Sequence, residues 1–279
     1  MSATNLPDLL SYQATDGNHL YYRHYEASNP GSIVILLHGI GEDSKYLEPL
    51  AAYLSSENLA HVFTPDLRGY GENPIRRGDL DYIGQQEEDI AELIKQLKKT
   101  YPSTKVILAG HSAGGGTFIR FADSKFASLV DKYLLLSPFV HFQAPIMKKT
   151  EETEKNKVWM GRLIKLMLLN KLGFTKQNHL PIYRRFKPEE LFHGTETLTL
   201  SYRLFMSRIP DNYKKALANL PESTLLLIGD QDEEFDHTKY EPLFTKYSTT
   251  TPQVIADTDH NGILFHPDSL DKIKNWITD

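Results

Sequence analysis

The sequence predicts an α/β fold, a mostly parallel central sheet flanked by helices. Three observations carry this. Short runs such as Ser32-Ile-Val-Ile-Leu-Leu37 are apolar without alternation, the pattern of a strand buried on both faces. Such runs alternate with segments of helical periodicity, and strand–helix–strand order requires crossovers and hence parallel neighbours. The chain has 279 residues, 40% of them hydrophobic, and no cysteine, so its core must be large enough to stand without disulfides. At about 150 residues per domain the length corresponds to roughly two units, or one core with an insertion.

Each element has its own signal. Ser11–Asp16 and His19–Tyr25 flank Asp-Gly-Asn, a turn sequence, and read as a hairpin. The run 32–37 is a buried strand. Asp43–Ser56 reads as a helix, with Tyr46, Leu47, Leu50 and Leu54 at spacings of three and four. His61–Thr64 is a strand. Tyr82–Thr100 gives the clearest helix: Ile83, Ile90, Leu93, Ile94 and Leu97 form one stripe and charges fill the rest. Lys105–Ala109 is a strand, Ala113–Asp123 a helix and Tyr133–Leu136 a strand. Thr224–Ile228 and Gln253–Ala256 are the late strands, followed by helices over His237–Tyr247 and Ser269–Ile277.

The alternation breaks once. From about His141 to Leu220 no run reads as a strand and helical periodicity dominates. Residues 141–190 hold eleven Lys/Arg and five Glu, against a net charge of −5 for the whole chain. This predicts residues 1–140 and 221–279 as two parts of one core, with 141–220 a helical insertion over the strand ends. Within it, Val158–Leu169 is unusually apolar and reads as a helix whose apolar face packs on the core, or as a wall of an acyl pocket with a basic rim. The overall acidity gives no basis for nucleic-acid binding, and contact between the insertion and a membrane is not expected. The N-terminus lacks a basic start followed by an apolar run, and no stretch approaches the ~18 apolar residues of a spanning helix, so a cytoplasmic protein is expected.

The chemistry centres on Gly110-His-Ser-Ala-Gly114. It matches G-x-S-x-G and falls between a strand and a helix, where small residues two before and two after the serine let a sharp turn close. That turn would project the Ser112 hydroxyl above the C-terminal edge of the sheet, where open α/β folds bind ligands. Such a serine needs a base and an acid, which follow it along the chain in the order acid, then histidine. The strand 224–228 runs into Gly229-Asp-Gln-Asp-Glu-Glu-Phe-Asp236, and 253–256 into Asp257-Thr-Asp-His260. His260 is the expected base, with His266 as rival. Asp232 is the expected acid, with Asp230, Glu233 and Asp236 as rivals. The oxyanion hole should combine the Ala113 N–H at a helix start with the Ile40 N–H in His38-Gly-Ile-Gly41. His38 and His111 read as structural rings. Asp66-Leu-Arg-Gly-Tyr-Gly71 reads as a tight turn with Asp66 and Arg68 paired; its glycines do not complete a dinucleotide fingerprint. His237 is the only imidazole near the acidic cluster, so no metal site is expected, and the mechanism calls for no cofactor.

Together His38-Gly-x-Gly41, Asp66-x-Arg68-Gly69-x-Gly71 and Gly110-His-Ser-x-Gly-Gly115 resemble the α/β-hydrolase superfamily, in particular the subgroup similar to monoacylglycerol lipases and lysophospholipases. The resemblance covers roughly 10–140 and 221–279. Asn73 stands where that subgroup has serine, and nothing in 141–220 matches a motif. The resemblance implies an α/β-hydrolase fold, with the insertion as a substrate-selecting cap. The expected activity is hydrolysis of a small carboxylic ester with an apolar acyl group, monoacylglycerol-like or of short to medium chain. The alternatives are an amide or lactone hydrolase or an acyltransferase on the same residues, or a ligand-binding protein of the same fold without the chemistry.

Overall fold

The computed structural model describes residues 6–28, 30–148 and 156–279. Five of the charged residues counted in the insertion, Lys149, Glu151, Glu152, Glu154 and Lys155, lie outside them. The core strands are β1 (Leu9–Gln13), β2 (His19–Tyr25), β3 (Ser32–Leu37), β4 (His61–Asp66), β5 (Lys105–His111) and β6 (Lys132–Leu136). Three strands of the insertion follow, β7 (Asn156–Val158), β8 (Pro181–Arg185) and β9 (Thr199–Ser201), then β10 (Thr224–Gly229) and β11 (Pro252–Ile255). The helices are α1 (Glu48–Ser56), α2 (Gln85–Thr100), α3 (Ala113–Ala122), α4 (Met160–Lys171), α5 (Tyr202–Ser207), α6 (Tyr213–Ala218), α7 (Tyr240–Tyr247) and α8 (Pro267–Thr278).

Eight strands form the main sheet in the order β1-β2-β4-β3-β5-β6-β10-β11. Within this sheet the β1–β2 and β2–β4 pairs are antiparallel and every other pair is parallel, so β4, β3, β5, β6, β10 and β11 send their C-terminal ends to one edge. All six residues of β3 are buried. Ile33, Ile35 and Leu37 join one apolar cluster with α2, α3 and α7, while Val34 and Leu36 join a second with α1 and α8. A strand packed on both faces has no side that must be polar, which is why its sequence shows no alternation.

Four helix starts differ from the expectation: α7 begins at Tyr240 after a 3-10 turn at His237–Lys239, α8 begins at Pro267, and the other two have a local cause. Residues Ser44–Leu47 form a 3-10 turn and α1 begins at Glu48, because Pro49 lacks an N–H and is tolerated only in a first turn. Helix α2 begins at Gln85 rather than Tyr82; the Gln85 side chain accepts the Asp81 N–H at 2.7 Å and caps the preceding turn.

The insertion is not purely helical. Strands β7, β8 and β9 form a separate antiparallel sheet. Each spans only three to five residues, too few for a period of two to stand out, and β8 begins on a proline, which suits the first position of a strand. Helix α4 packs inward through Leu163 and Leu166, while Met160, Ile164, Leu168 and Leu172 on its other side are exposed. Its apolar character thus reaches both the core and the surface; α4 itself contributes no residue to the cavity described next, whereas Val158, the first residue of the apolar run, lines it from β7. Among the described residues no helix is long and apolar enough to cross a membrane.

Candidate active site

Ser112 sits between β5 and α3 with φ 54° and ψ −123°, a left-handed backbone that costs a non-glycine residue of order 1–3 kcal/mol. The surroundings hold it there. Its N–H donates to the Leu136 carbonyl at 3.0 Å, and its carbonyl accepts from Gly115 N at 2.9 Å and Phe139 N at 2.8 Å. The flanking glycines are forced by close approach. A Cβ on Gly110 would lie 2.5 Å from the Gly114 carbonyl oxygen, and one on Gly114 would lie 2.3 Å from that of Leu37. The G-x-S-x-G pattern therefore records backbone packed against backbone.

Asp232 and His260 follow β10 and β11. Leu225–Leu227 of β10 pair with β6, and Gly229 pairs with Ile255 at the end of β11, so both loops leave the same sheet edge as Ser112. His260 Nδ1 donates to Asp232 Oδ2 at 2.8 Å. A carboxylate only accepts, so Nδ1 carries the proton of this bond, and in the neutral ring Nε2 is then the acceptor. Asp232 Oδ1 accepts the Glu234 and Phe235 N–H groups at 2.9 and 2.8 Å, which fixes the carboxylate plane. Burial alone would raise the Asp232 carboxyl. The hydrogen bond and charge of His260 outweigh it, with help from the Phe235 N–H, and hold it below the usual range.

The rivals have other partners. Asp230 Oδ1 accepts from Thr258 N at 3.4 Å. Asp236 caps the following 3-10 turn through Thr238. Glu233 Oε2 accepts the His260 backbone N–H at 3.0 Å, so it holds the histidine's loop rather than its ring. His266 caps α8, accepting from Asp268 N at 3.3 Å.

Ser112 opens into a cavity of about 230 Å³ together with Ile40 and Ala113, the two expected oxyanion donors. Phe139, Phe142, Phe205 and Phe235 make it apolar, and its two charged side chains, Arg185 and Glu234, pair at 3.3 Å. The Ala113 N–H lies in the first turn of α3, where a helix leaves its N–H groups without intrahelical partners.

The loop histidines carry specific bonds. His38 Nε2 accepts Leu67 N at 3.1 Å and Nδ1 donates to the Gly39 carbonyl at 2.8 Å. Burial, and then the charge of Arg208, push it down to about 3. His111 does more than pack. Its Nε2 donates to the His260 carbonyl at 2.8 Å, its Nδ1 accepts from Tyr46 Oη at 2.9 Å, and Tyr46 Oη accepts the Gly39 N–H at 2.6 Å. Burial, then the neighbouring His260, push His111 down to about 3 as well. A neutral chain of bonds thus joins the Gly39 loop to the backbone of His260. Sequence reasoning missed the roles of Tyr46, Arg185, Glu234 and Arg208; Arg208 is marked by its burial and Tyr46 by its bonds to Gly39 and His111, and neither is written in a local pattern.

One pairing is corrected. Arg68 does not pair with Asp66. It makes a two-point contact with Asp89, both bonds at 2.8 Å, and a third bond to Asp16 at 2.8 Å, while Asp66 accepts the Ser44 N–H at 2.8 Å. The planar guanidinium takes both oxygens of a facing carboxylate on α2, which a residue two positions away on its own turn does not offer.

A sheet of this order, with a strained serine at the β5–α3 turn, defines an α/β hydrolase of the serine type. The chain matches the family described as serine aminopeptidase, S33, over residues 28–263, and it belongs to that family. Among relatives, it is 29% identical to human monoglyceride lipase over 243 residues, 83% of this chain and 75% of that protein. It is 30% identical to a monkeypox virus monoglyceride lipase homolog over 130 residues, 46% of each, so that match spans less than half of the relative's length. Among solved structures, it resembles a soluble variant of the Saccharomyces cerevisiae monoglyceride lipase in complex with a substrate analog. The TM-score is 0.75 at 19% identity, over 99% of this chain and 96% of that one.

Proposed function

We propose that the protein hydrolyses a carboxylic ester with an apolar acyl group, of the monoacylglycerol type or a short-to-medium-chain ester. The observation that carries the reading is the Asp232–His260 bond at 2.8 Å, at the strand edge that also bears the strained Ser112. Ser112 attacks the carbonyl carbon, and His260 Nε2 takes the hydroxyl proton. Asp232 keeps the ring in the Nδ1–H tautomer and balances the imidazolium. The Ile40 and Ala113 N–H groups receive the oxyanion. The intermediate collapses, His260 returns the proton to the leaving alcohol, and a water activated by His260 then releases the acid from Ser112. The aromatic lining of the cavity supports an apolar acyl group, and the names of the relatives support an ester over the amide that the family description suggests.

The test is a panel of p-nitrophenyl esters of increasing acyl length beside aminoacyl anilides, with fluorophosphonate labelling of the wild type and of Ser112→Ala. We expect ester turnover and labelling in the wild type and neither in Ser112→Ala. Faster anilide than ester turnover would overturn the ester assignment, and labelling retained in Ser112→Ala would overturn the nucleophile.

A further inference from the structure

Three arginines are buried among the described residues: Arg23, Arg68 and Arg208. Arg23 pairs with Glu72 and Arg68 with Asp89 and Asp16. Arg208, 1% exposed and the most deeply buried, makes no ion pair among the described residues. Its Nη2 donates to the His38 carbonyl at 2.6 Å, and its Nε and Nη1 have no hydrogen-bond partner. The guanidinium lies 5.1 Å from the centroid of the Tyr70 ring, which stands 4.9 Å from His38. A buried, unpaired charge is among the most costly things a fold can hold, and such groups concentrate where function requires them.

Its position is informative. The one atom the Arg208 side chain bonds, the His38 carbonyl oxygen, is 2.9 Å from where a Cβ on Gly114 would stand. That oxygen therefore lies between the two loops expected to supply the oxyanion donors, two residues before Ile40 and against the residue after Ala113. The other side of the same peptide, Gly39 N–H, donates to Tyr46 Oη. The His38–Gly39 peptide is thus clamped at both ends, by a cation at its oxygen and a phenol at its nitrogen. Among the described residues the guanidinium has only the Tyr70 ring and the His38 carbonyl beside it, and no carboxylate pairs with it.

We infer that Arg208 is a positioning residue of the oxyanion site: it orients the His38–Gly39 peptide and supplies a positive field that is answered only when the tetrahedral oxyanion forms. The inference rests on the proposed serine-hydrolase reading. An interaction that strengthens as negative charge develops lowers the barrier without tightening substrate binding. The resting protein carries the desolvated cation, and the transition state is where it gains a partner.

The test uses the full chain with Arg208→Gln, Arg208→Met and Arg208→Lys. The probe is an alkyl trifluoromethyl ketone labelled with ¹³C at the carbonyl. Ser112 Oγ adds to that carbon, the hydroxyl proton passes to His260, and the carbonyl oxygen becomes a hemiketal oxyanion whose own protonation is followed by ¹³C shift against pH. We expect Arg208→Gln and Arg208→Met to lower kcat by about 10- to 100-fold with KM within about threefold, somewhat less than the loss of a direct oxyanion donor. The hemiketal in these variants should protonate about one to two pH units higher, the same fold-change read as an equilibrium. Arg208→Lys, which keeps the charge, should stay near wild type in both. Both neutral variants should melt close to wild type, since removing an unpaired buried charge relieves its desolvation. If hemiketal titration is unchanged in the neutral variants, or they fail to fold, or kcat falls only as far as the melting temperature does, Arg208 is a structural brace and the inference is overturned. Absence of any adduct in the wild type overturns the serine reading itself, and the inference with it.

Discussion

Lowering the pH below about 6.5 should destabilise this protein, because of His38 and His111. Both are buried and neutral, each pushed down to about 3 from an ordinary 6.5. The folded value lies below the unfolded one. Between pH 6.5 and 3 the unfolded chain therefore binds protons that the folded chain refuses, and stability falls as pH falls through that window. Each such histidine removes ~1.4 kcal/mol per pH unit. At pH 4.5, two units into the window, the pair removes about 5 kcal/mol, comparable with the whole stability of many domains. Glu87 and Asp89, raised chiefly by burial, act the other way and return part of the loss once they protonate in the fold. Urea unfolding followed by circular dichroism at pH 7.5, 6.5, 5.5 and 4.5 measures the slope. His111→Gln can still accept from Tyr46 and donate to the His260 carbonyl, but it cannot take up a proton. Its stability should fall less steeply between pH 6.5 and 4.5, by ~1.4 kcal/mol per unit. Identical slopes for wild type and His111→Gln would refute the claim that this ring is held neutral.

Two further outcomes can be checked directly. Asp232→Asn should lower kcat on the order of 10⁴-fold, since an amide favours the wrong histidine tautomer, while Asp230→Asn and Asp236→Asn should change it far less; steady-state kinetics on one ester decides, and equal losses at 230 or 236 would reassign the acid. Gly114→Ala should fail to give native protein or lose several kcal/mol, because its Cβ would sit 2.3 Å from the Leu37 carbonyl oxygen, and a wild-type urea midpoint would contradict the packing at the turn.

The sheet was legible because its strands declare themselves in short range. Ser32–Leu37 and Thr224–Gly229 are buried on both faces, and their shortness, with β-branched residues in the first, marks such apolar runs as central strands. The serine turn was legible because glycines are demanded on both sides of it, Gly110 by the Gly114 carbonyl within the turn and Gly114 by the Leu37 carbonyl of β3. Asp232 and His260 were expected from their place after strands, and the structure brings the two side chains to 2.8 Å, with Asp232 Oδ1 held by two backbone N–H groups that no sequence pattern announces. The insertion was misjudged because β7 to β9 are held by one another across gaps in the chain, with little in each segment to mark it. Arg208 was invisible for the same reason. An arginine at the end of the short helix α5 looks like a surface charge until the fold brings the His38 carbonyl to it. Asp66 and Arg68 were paired on proximity in sequence, whereas the better-matched carboxylate belonged to α2.

The order of the strands also bears on how the chain acquires its site. The chain leaves the sheet at Leu136 and returns at Thr224, yet β6 and β10 are neighbours, with Leu136 facing Leu227. Ser112 is made early, on the β3–β5–β6 side, while Asp232 and His260 arrive only after that long excursion closes. Contacts so distant in sequence are slow to form, because the closure entropy of the intervening chain must be met before any pairing repays it. During synthesis the serine turn can be complete while its partners are still inside the ribosome. On the proposed mechanism such a nascent chain has the serine turn without its base, and recovered turnover after refolding would then measure closure of the whole sheet and not the formation of its helices.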